Sequence, residues 1–85
     1  MTKSVFTDEY ALMIRTLIAL RKRQGMSQAK LAGRLGRTQP FISHIEHGDR
    51  RIDPIEFHAI VKALDADPVA VFAEVASKLP AKMKI

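Results

Sequence analysis

Residues Ser27–Gly48, SQAKLAGRLGRTQPFISHIEHG, decide how the rest of the chain is read. They spell two short helices joined by a tight turn. Ser27 is a good N-cap, because its side-chain oxygen can accept from a backbone N–H that the first turn leaves without a partner. Leu31, Ala32 and Leu35 then share one apolar stripe at helical spacing. Gly36 follows the last apolar residue, where a left-handed conformation is cheap only for glycine. Thr38 is a second N-cap, and Pro40 sits in the first turn of the next helix, where its missing N–H costs nothing. Ile42 and Ile45 are three apart and face inward, and Gly48 ends the second helix. The small Ala32 stands where the two helices meet at a steep angle, and a longer side chain there would push them apart.

This leaves Gln39, Phe41, Ser43, His44 and Arg37 pointing outward. They are donors, acceptors and one flat ring, a set suited to reading base edges. The chain here resembles the Cro/repressor-type helix-turn-helix domains, the xenobiotic-response-element (XRE) class of bacterial and phage regulators. The residues that carry the resemblance are Leu17, Leu20 and Arg21, then Gly25-Met26-Ser27-Gln28, Leu31-Ala32, Gly36, Ile42-Ser43, Ile45-Glu46, Gly48 and Lys62-Ala63-Leu64. They run from Met13 to Phe72, most of the chain. Each piece is short; their joint order and spacing are specific for the family and not for any single regulator. The resemblance implies an all-α, five-helix, lambda-repressor-like DNA-binding domain. It also implies sequence-specific binding of double-stranded DNA as a homodimer, most simply as a repressor at a palindromic operator.

The same resemblance assigns roles. Gln28 opens the first motif helix, where free N–H groups and an amide suit a phosphate, and it is expected to contact the DNA backbone. Gln39 opens the second, at a base-reading position of the family. Glutamine can pair bidentately with an adenine edge, a phosphate contact being the alternative. Thr38 caps and can share its hydroxyl with a phosphate, and Pro40 lies beside it on the DNA-facing turn. Arg37 departs from the small apolar residue common in the family, and either reaches a phosphate or stays in water. Ser43 and His44 follow one turn on. His44 stands where relatives often carry arginine or glutamine, so it reads by hydrogen bonding or by touching a thymine methyl. Histidine can gain charge near neutral pH, and binding is therefore expected to strengthen modestly as pH falls. Phe41, often tyrosine in relatives, packs on a sugar or thymine methyl or covers the junction with the first motif helix. Arg50 and Arg51, in the polar loop after the motif, are expected to reach phosphates. Arg21 is similar to a family arginine that pairs with the acid at Glu46, a structural tie between the first helix and the end of the motif.

Outward from the motif, Thr7 with Asp8 and Glu9 starts a first helix that runs to about Gln24. Tyr10, Met13, Ile14, Leu17 and Leu20 form its stripe. Ile18 lies off it, suited to a subunit contact or to partial burial under the N-terminal arm. Asp53-Pro54 and Asp67-Pro68 are start signals for a fourth and a fifth helix. Phe57, Ile60, Val61 and Leu64 face the core from the fourth. Val71 and Phe72 are expected to close it from the fifth, leaving Val69, Ala73 and Val75 as an apolar seam for a second subunit. The expected organisation is an arm over 1–6, the DNA-binding domain over 7–78 and a mobile tail over 79–85.

An 85-residue chain holds one domain with a small core. It has no cysteine, hence no disulfide framework and no cysteine metal site. No apolar run approaches the ~18 residues of a membrane span, and the first residues lack a signal-peptide core. Net charge is +5, unevenly spread: residues 1–51 hold ten Lys/Arg against four Asp/Glu, residues 52–85 four against five. The motif half is thus the basic half, which suits a polyanion. His44 and His47 are three apart but no third ligand completes a metal set. No nucleophile–base arrangement can be read, so neither an enzyme nor a cofactor is expected. The expected setting is the cytoplasm, on the nucleoid, with RNA polymerase or a toxin as a possible further partner. Rival readings are an antitoxin, restriction–modification controller or phage switch of the same fold, and a protein-interaction adaptor that does not read DNA.

Overall fold

The computed structural model describes residues 7–84; the expected arm over 1–6 lies outside the described residues, as does Ile85. Five helices follow one another: α1 (Asp8–Arg23), α2 (Gln28–Arg34), α3 (Gln39–His47), α4 (Pro54–Ala63) and α5 (Pro68–Ser77). Among the described residues there is no strand. The all-α, five-helix expectation is therefore met, and by the local signals that suggested it. Thr7 Oγ1 accepts from Tyr10 N at 3.1 Å and Ser27 Oγ from Lys30 N at 3.0 Å. Asp53 and Asp67 cap α4 and α5, each ahead of a proline. Such a cap stabilises by about 1 kcal/mol. Thr38 is the exception. It occupies the N-cap position of α3 in extended backbone, but its side chain makes no cap bond, so its hydroxyl is left exposed at the start of that helix.

The core draws on four helices: Ile14, Leu17 and Leu20 of α1, Leu31 and Ala32 of α2, Ile42 and Ile45 of α3, and Phe57, Ile60 and Val61 of α4 with Leu64 behind it. Ala32, Val61 and Leu64 have no accessible surface. Each buried Leu, Ile or Val contributes about 1.5–3 kcal/mol. Because these side chains meet at one centre, α2 and α3 are held rigidly on α1 and α4.

The fifth helix packs differently from the sequence expectation. Val75, expected on the outer seam, is buried, while Phe72, expected to close the core, is 46% exposed. Val71 and Val75 are four apart and share a face, with Val71 half-buried against the core. Phe72, one step further round, reaches only the edge, where its ring meets Phe57 edge-on at 5.7 Å between centroids. Beyond α5, residues 79–84 form bends and irregular backbone without a helix.

Candidate nucleic-acid interface

The turn between α2 and α3 is set by backbone chemistry. Gly36 has φ of 69°, and a Cβ built on it would meet nothing within 4 Å. Glycine is needed there for the dihedral and not for space. The Arg37 N–H reaches back to Ala32 O at 2.8 Å, which closes the end of α2 and aims the chain into α3. Gly48, at φ 81°, ends α3 in the same left-handed way.

A chain of side-chain hydrogen bonds runs from the core to the exposed start of α3. Arg21 donates from Nε to Glu46 Oε2 at 2.7 Å and from Nη2 to Oε1 at 3.0 Å, and its Nη1 reaches Met26 O at 2.9 Å. Gln28 Nε2 donates to the same Glu46 Oε1 at 2.7 Å. Gln39 Nε2 in turn donates to Gln28 Oε1 at 2.7 Å. A carboxylate only accepts, so the Gln28 amide must turn its NH2 toward Glu46 and its oxygen toward Gln39. That oxygen holds one Gln39 N–H. The second N–H and the carbonyl of exposed Gln39 remain for an outside partner.

The second cluster is a stack of arginines on aromatic rings. The Arg37 guanidinium lies 4.0 Å from the centre of the Phe41 ring and that of Arg50 lies 5.0 Å from it. Arg50 also forks onto Glu56, at 2.7 and 3.1 Å, and donates to Arg51 O. Glu56 is the third residue of α4 and completes a capping box with Asp53. The Arg50 hydrogen bond, then the Asp53 backbone N–H, hold the Glu56 carboxyl below its ordinary value. The same bond raises Arg50. Arg51 lies over Tyr10, 4.3 Å from its ring centre.

The expected contact residues thus fall into groups. Gln28 and Gln39 are joined directly, with Thr38, Pro40 and His44 exposed around them. Ser43 is half-buried, its hydroxyl 3.4 Å from His47 Nδ1; that nitrogen donates to Ser43 O at 3.0 Å. Phe41 borders a shallow hollow of about 150 Å³ with Leu35 and Ala59, under Arg37 and beside Glu56. Arg50 is turned onto Glu56 rather than outward. Sequence reasoning missed Glu56, although Asp53-x-x-Glu56 is a recognisable capping-box pattern. It also missed Arg34, which bridges Asp65 Oδ2 and Ala63 O at 2.9 Å each. Nothing in the sequence signals that bridge, since it depends on Asp65 adopting φ of 60°. Among the described residues no three His, Cys, Asp or Glu side chains gather as metal ligands, and no helix is long and apolar enough to cross a membrane.

The chain matches the helix-turn-helix domain family over residues 14–73, a span that contains α2, α3 and every member of the Arg21–Glu46–Gln28–Gln39 chain. Its structure is similar to that of an XRE-family like protein from Pseudomonas syringae pv. tomato str. DC3000. The TM-score is 0.80 at 35% identity, covering 85% of this chain and 88% of that one. It is also similar to the clp gene regulator ClgR from C. glutamicum, with a TM-score of 0.70 at 20% identity over 84% of this chain and 92% of the other, a likeness of fold alone. No curated protein matches in sequence.

Proposed function

Because this chain belongs to the helix-turn-helix domain family, as an XRE-type DNA-binding transcription regulator, we propose that it binds a palindromic operator as a homodimer and represses by occupying it. The observation that carries this reading is the bond from Gln39 to Gln28. Adenine offers an N6 donor and an N7 acceptor in the major groove. The Gln39 carbonyl and its second N–H match that pair, and Gln28 holds the amide in place before DNA arrives. Less side-chain freedom is then lost on binding.

In this reading the start of α3 enters the major groove, with His44 and Ser43 further along it. Thr38, Pro40 and the start of α2 at Gln28 face the phosphates. Arg37 and Arg51, laid on aromatic rings, supply positive charge along the flank, whereas Arg50 is forked onto Glu56. Two copies would meet half-sites one helical turn (~10 bp) apart. The protein acts by binding and not by catalysis, in the cytoplasm, and contact with RNA polymerase or a toxin would be a separate layer.

Selection of bound sequences from a random duplex pool tests this. An inverted repeat is expected, with affinity falling about a thousandfold between 50 and 200 mM salt for ~6 phosphate contacts per dimer. Weak, sequence-blind binding would overturn it and favour a protein-interaction role.

A further inference from the structure

One of the arginines around α3 is tied to an acid. Arg37 lies on Phe41 and Arg51 on Tyr10, and a ring attracts a guanidinium without cancelling its charge. Arg50 is held differently. Its Nη2 donates to Glu56 Oε2 at 2.7 Å and its Nη1 to Oε1 at 3.1 Å, and Nη1 also donates to Arg51 O at 2.9 Å. The capping of α4 does not account for this acid. Capping needs only Oε1, which accepts the Asp53 N–H at 2.9 Å, and glutamine serves that role as well as glutamate. A helix start favours an acid through its dipole, but that calls for no partner on the second oxygen. Oε2 meets Arg50.

Arg50 is nonetheless placed for DNA. Its guanidinium lies 5.0 Å from the centre of the Phe41 ring, the ring that also seats Arg37. Phe41 follows Gln39 by two residues on α3, and Glu56 borders the same hollow. The Arg50 and Glu56 side chains are 40% and 30% exposed, so a phosphate can approach them. A phosphate that drew Arg50 away would leave the Glu56 carboxylate uncancelled beside the DNA backbone, where like charges repel. The fork is bidentate and assembled before DNA arrives, so it holds. We propose that Glu56 is a positioning residue for DNA binding: it keeps Arg50 off the phosphates and so lowers the affinity for every duplex alike. The inference rests on the proposed docking of α3 in the major groove. It makes Arg50 a cation in reserve, one that the fold withholds from the backbone.

The test is the salt dependence of duplex binding by the full chain. Fluorescence anisotropy reads it between about 50 and 200 mM salt, on an unrelated duplex and on the sequence selected from the pool. Glu56→Gln keeps the cap and releases Arg50, and circular dichroism checks that the helices remain. Its plot of log affinity against log salt should be steeper than that of wild type by about 0.9 per bound chain. Affinity should rise by on the order of tenfold at 0.1 M salt, on both duplexes. Arg50→Met/Glu56→Gln removes both charges together and should return to the wild-type slope. Asp49→Asn removes an acid from the same loop as Arg50 and controls for net charge; its gain should be smaller, because salt screens a charge that acts only at a distance. A Glu56→Gln slope equal to that of wild type overturns the inference, as does a gain no larger than that of Asp49→Asn. So does a double variant whose slope falls about 0.9 below wild type, since Arg50 would then already hold a phosphate in the wild-type complex. A wild type that selects an inverted repeat, with Glu56→Gln matching its slope, defeats this inference alone. A slope that steepens as expected, with no repeat selected from the pool, upholds the role of Glu56 and defeats the operator reading alone.

Discussion

Removing the Glu46 carboxylate should damage the fold far more than its single charge suggests. The Arg21 and Glu46 side chains are only 11% and 13% exposed. Glu46→Ala removes both acceptors of the Arg21 fork and leaves that guanidinium with Met26 O as its recorded partner. It also removes the acceptor for Gln28. Stranding one partner of a buried pair costs about 3–5 kcal/mol. Here roughly a tenth of each side chain still touches water, so the lower end, about 3 kcal/mol, is expected. For a domain of this size each kcal/mol moves the melting temperature by about 4–8 °C, giving a loss of about 12–24 °C. Differential scanning calorimetry reads this directly. Glu74→Ala is the control: Glu74 meets Lys78 at 3.4 Å on the surface, and its loss should stay within about 0.5 kcal/mol. The double variant Arg21→Met/Glu46→Leu should be much more stable than Glu46→Ala alone, because no charge is left without a partner. The reasoning fails if Glu46→Ala melts with the Glu74→Ala control. It fails equally if the double variant melts as low as Glu46→Ala.

Two other outcomes are expected. Gln39→Ala should lose about 1–3 kcal/mol of discrimination at one adenine, read by fluorescence anisotropy on matched and substituted duplexes; an equal loss on every duplex would show that Gln39 reads no base. Glu56 has a lowered folded-state pKa, so its contribution to stability is complete above its ordinary value of 4.5 and is lost as pH falls through the folded value. Urea titrations should therefore show wild type losing more stability than Glu56→Gln on acidification below about pH 4.5, and parallel curves would refute the role given to the Arg50 fork.

The motif was legible because its signals are local. Ser27, Gly36, Pro40 and Gly48 each act through the backbone of their own turn, and a helix start or stop needs no knowledge of the rest of the chain. The rotation of α5 was not legible. Val71, Phe72 and Val75 are all apolar, and which of them face inward is set by how α5 packs on the rest of the domain, not by residue type. Sequence also gave the arginines of the interface without their restraints. That Arg37 and Arg50 share the Phe41 ring, and that Glu56 holds Arg50, follows from where the loop after α3 and the start of α4 lie against the Phe41 hollow, which no local signal gives. The cap at Thr38 shows the opposite limit: the residue type and position fit, and the side chain still makes no bond.

The polarity of the exposed Gln39 edge is fixed by a charge behind it. Neutral amides are ambiguous, since either end of Gln28 fits a neighbour that both donates and accepts. Glu46 removes the ambiguity because a carboxylate cannot donate, and Arg21 holds it in place from the side of α1. The constraint then passes outward: NH2 of Gln28 inward, its oxygen outward, an N–H of Gln39 onto that oxygen. The order of donor and acceptor along the exposed Gln39 edge is thus decided by an ion pair shielded from solvent. In the proposed reading, folding and base contact share these atoms. If Gln39 reads a base as proposed, an arginine in the first helix takes part in specificity through the two side chains between it and Gln39, although it is nearly buried.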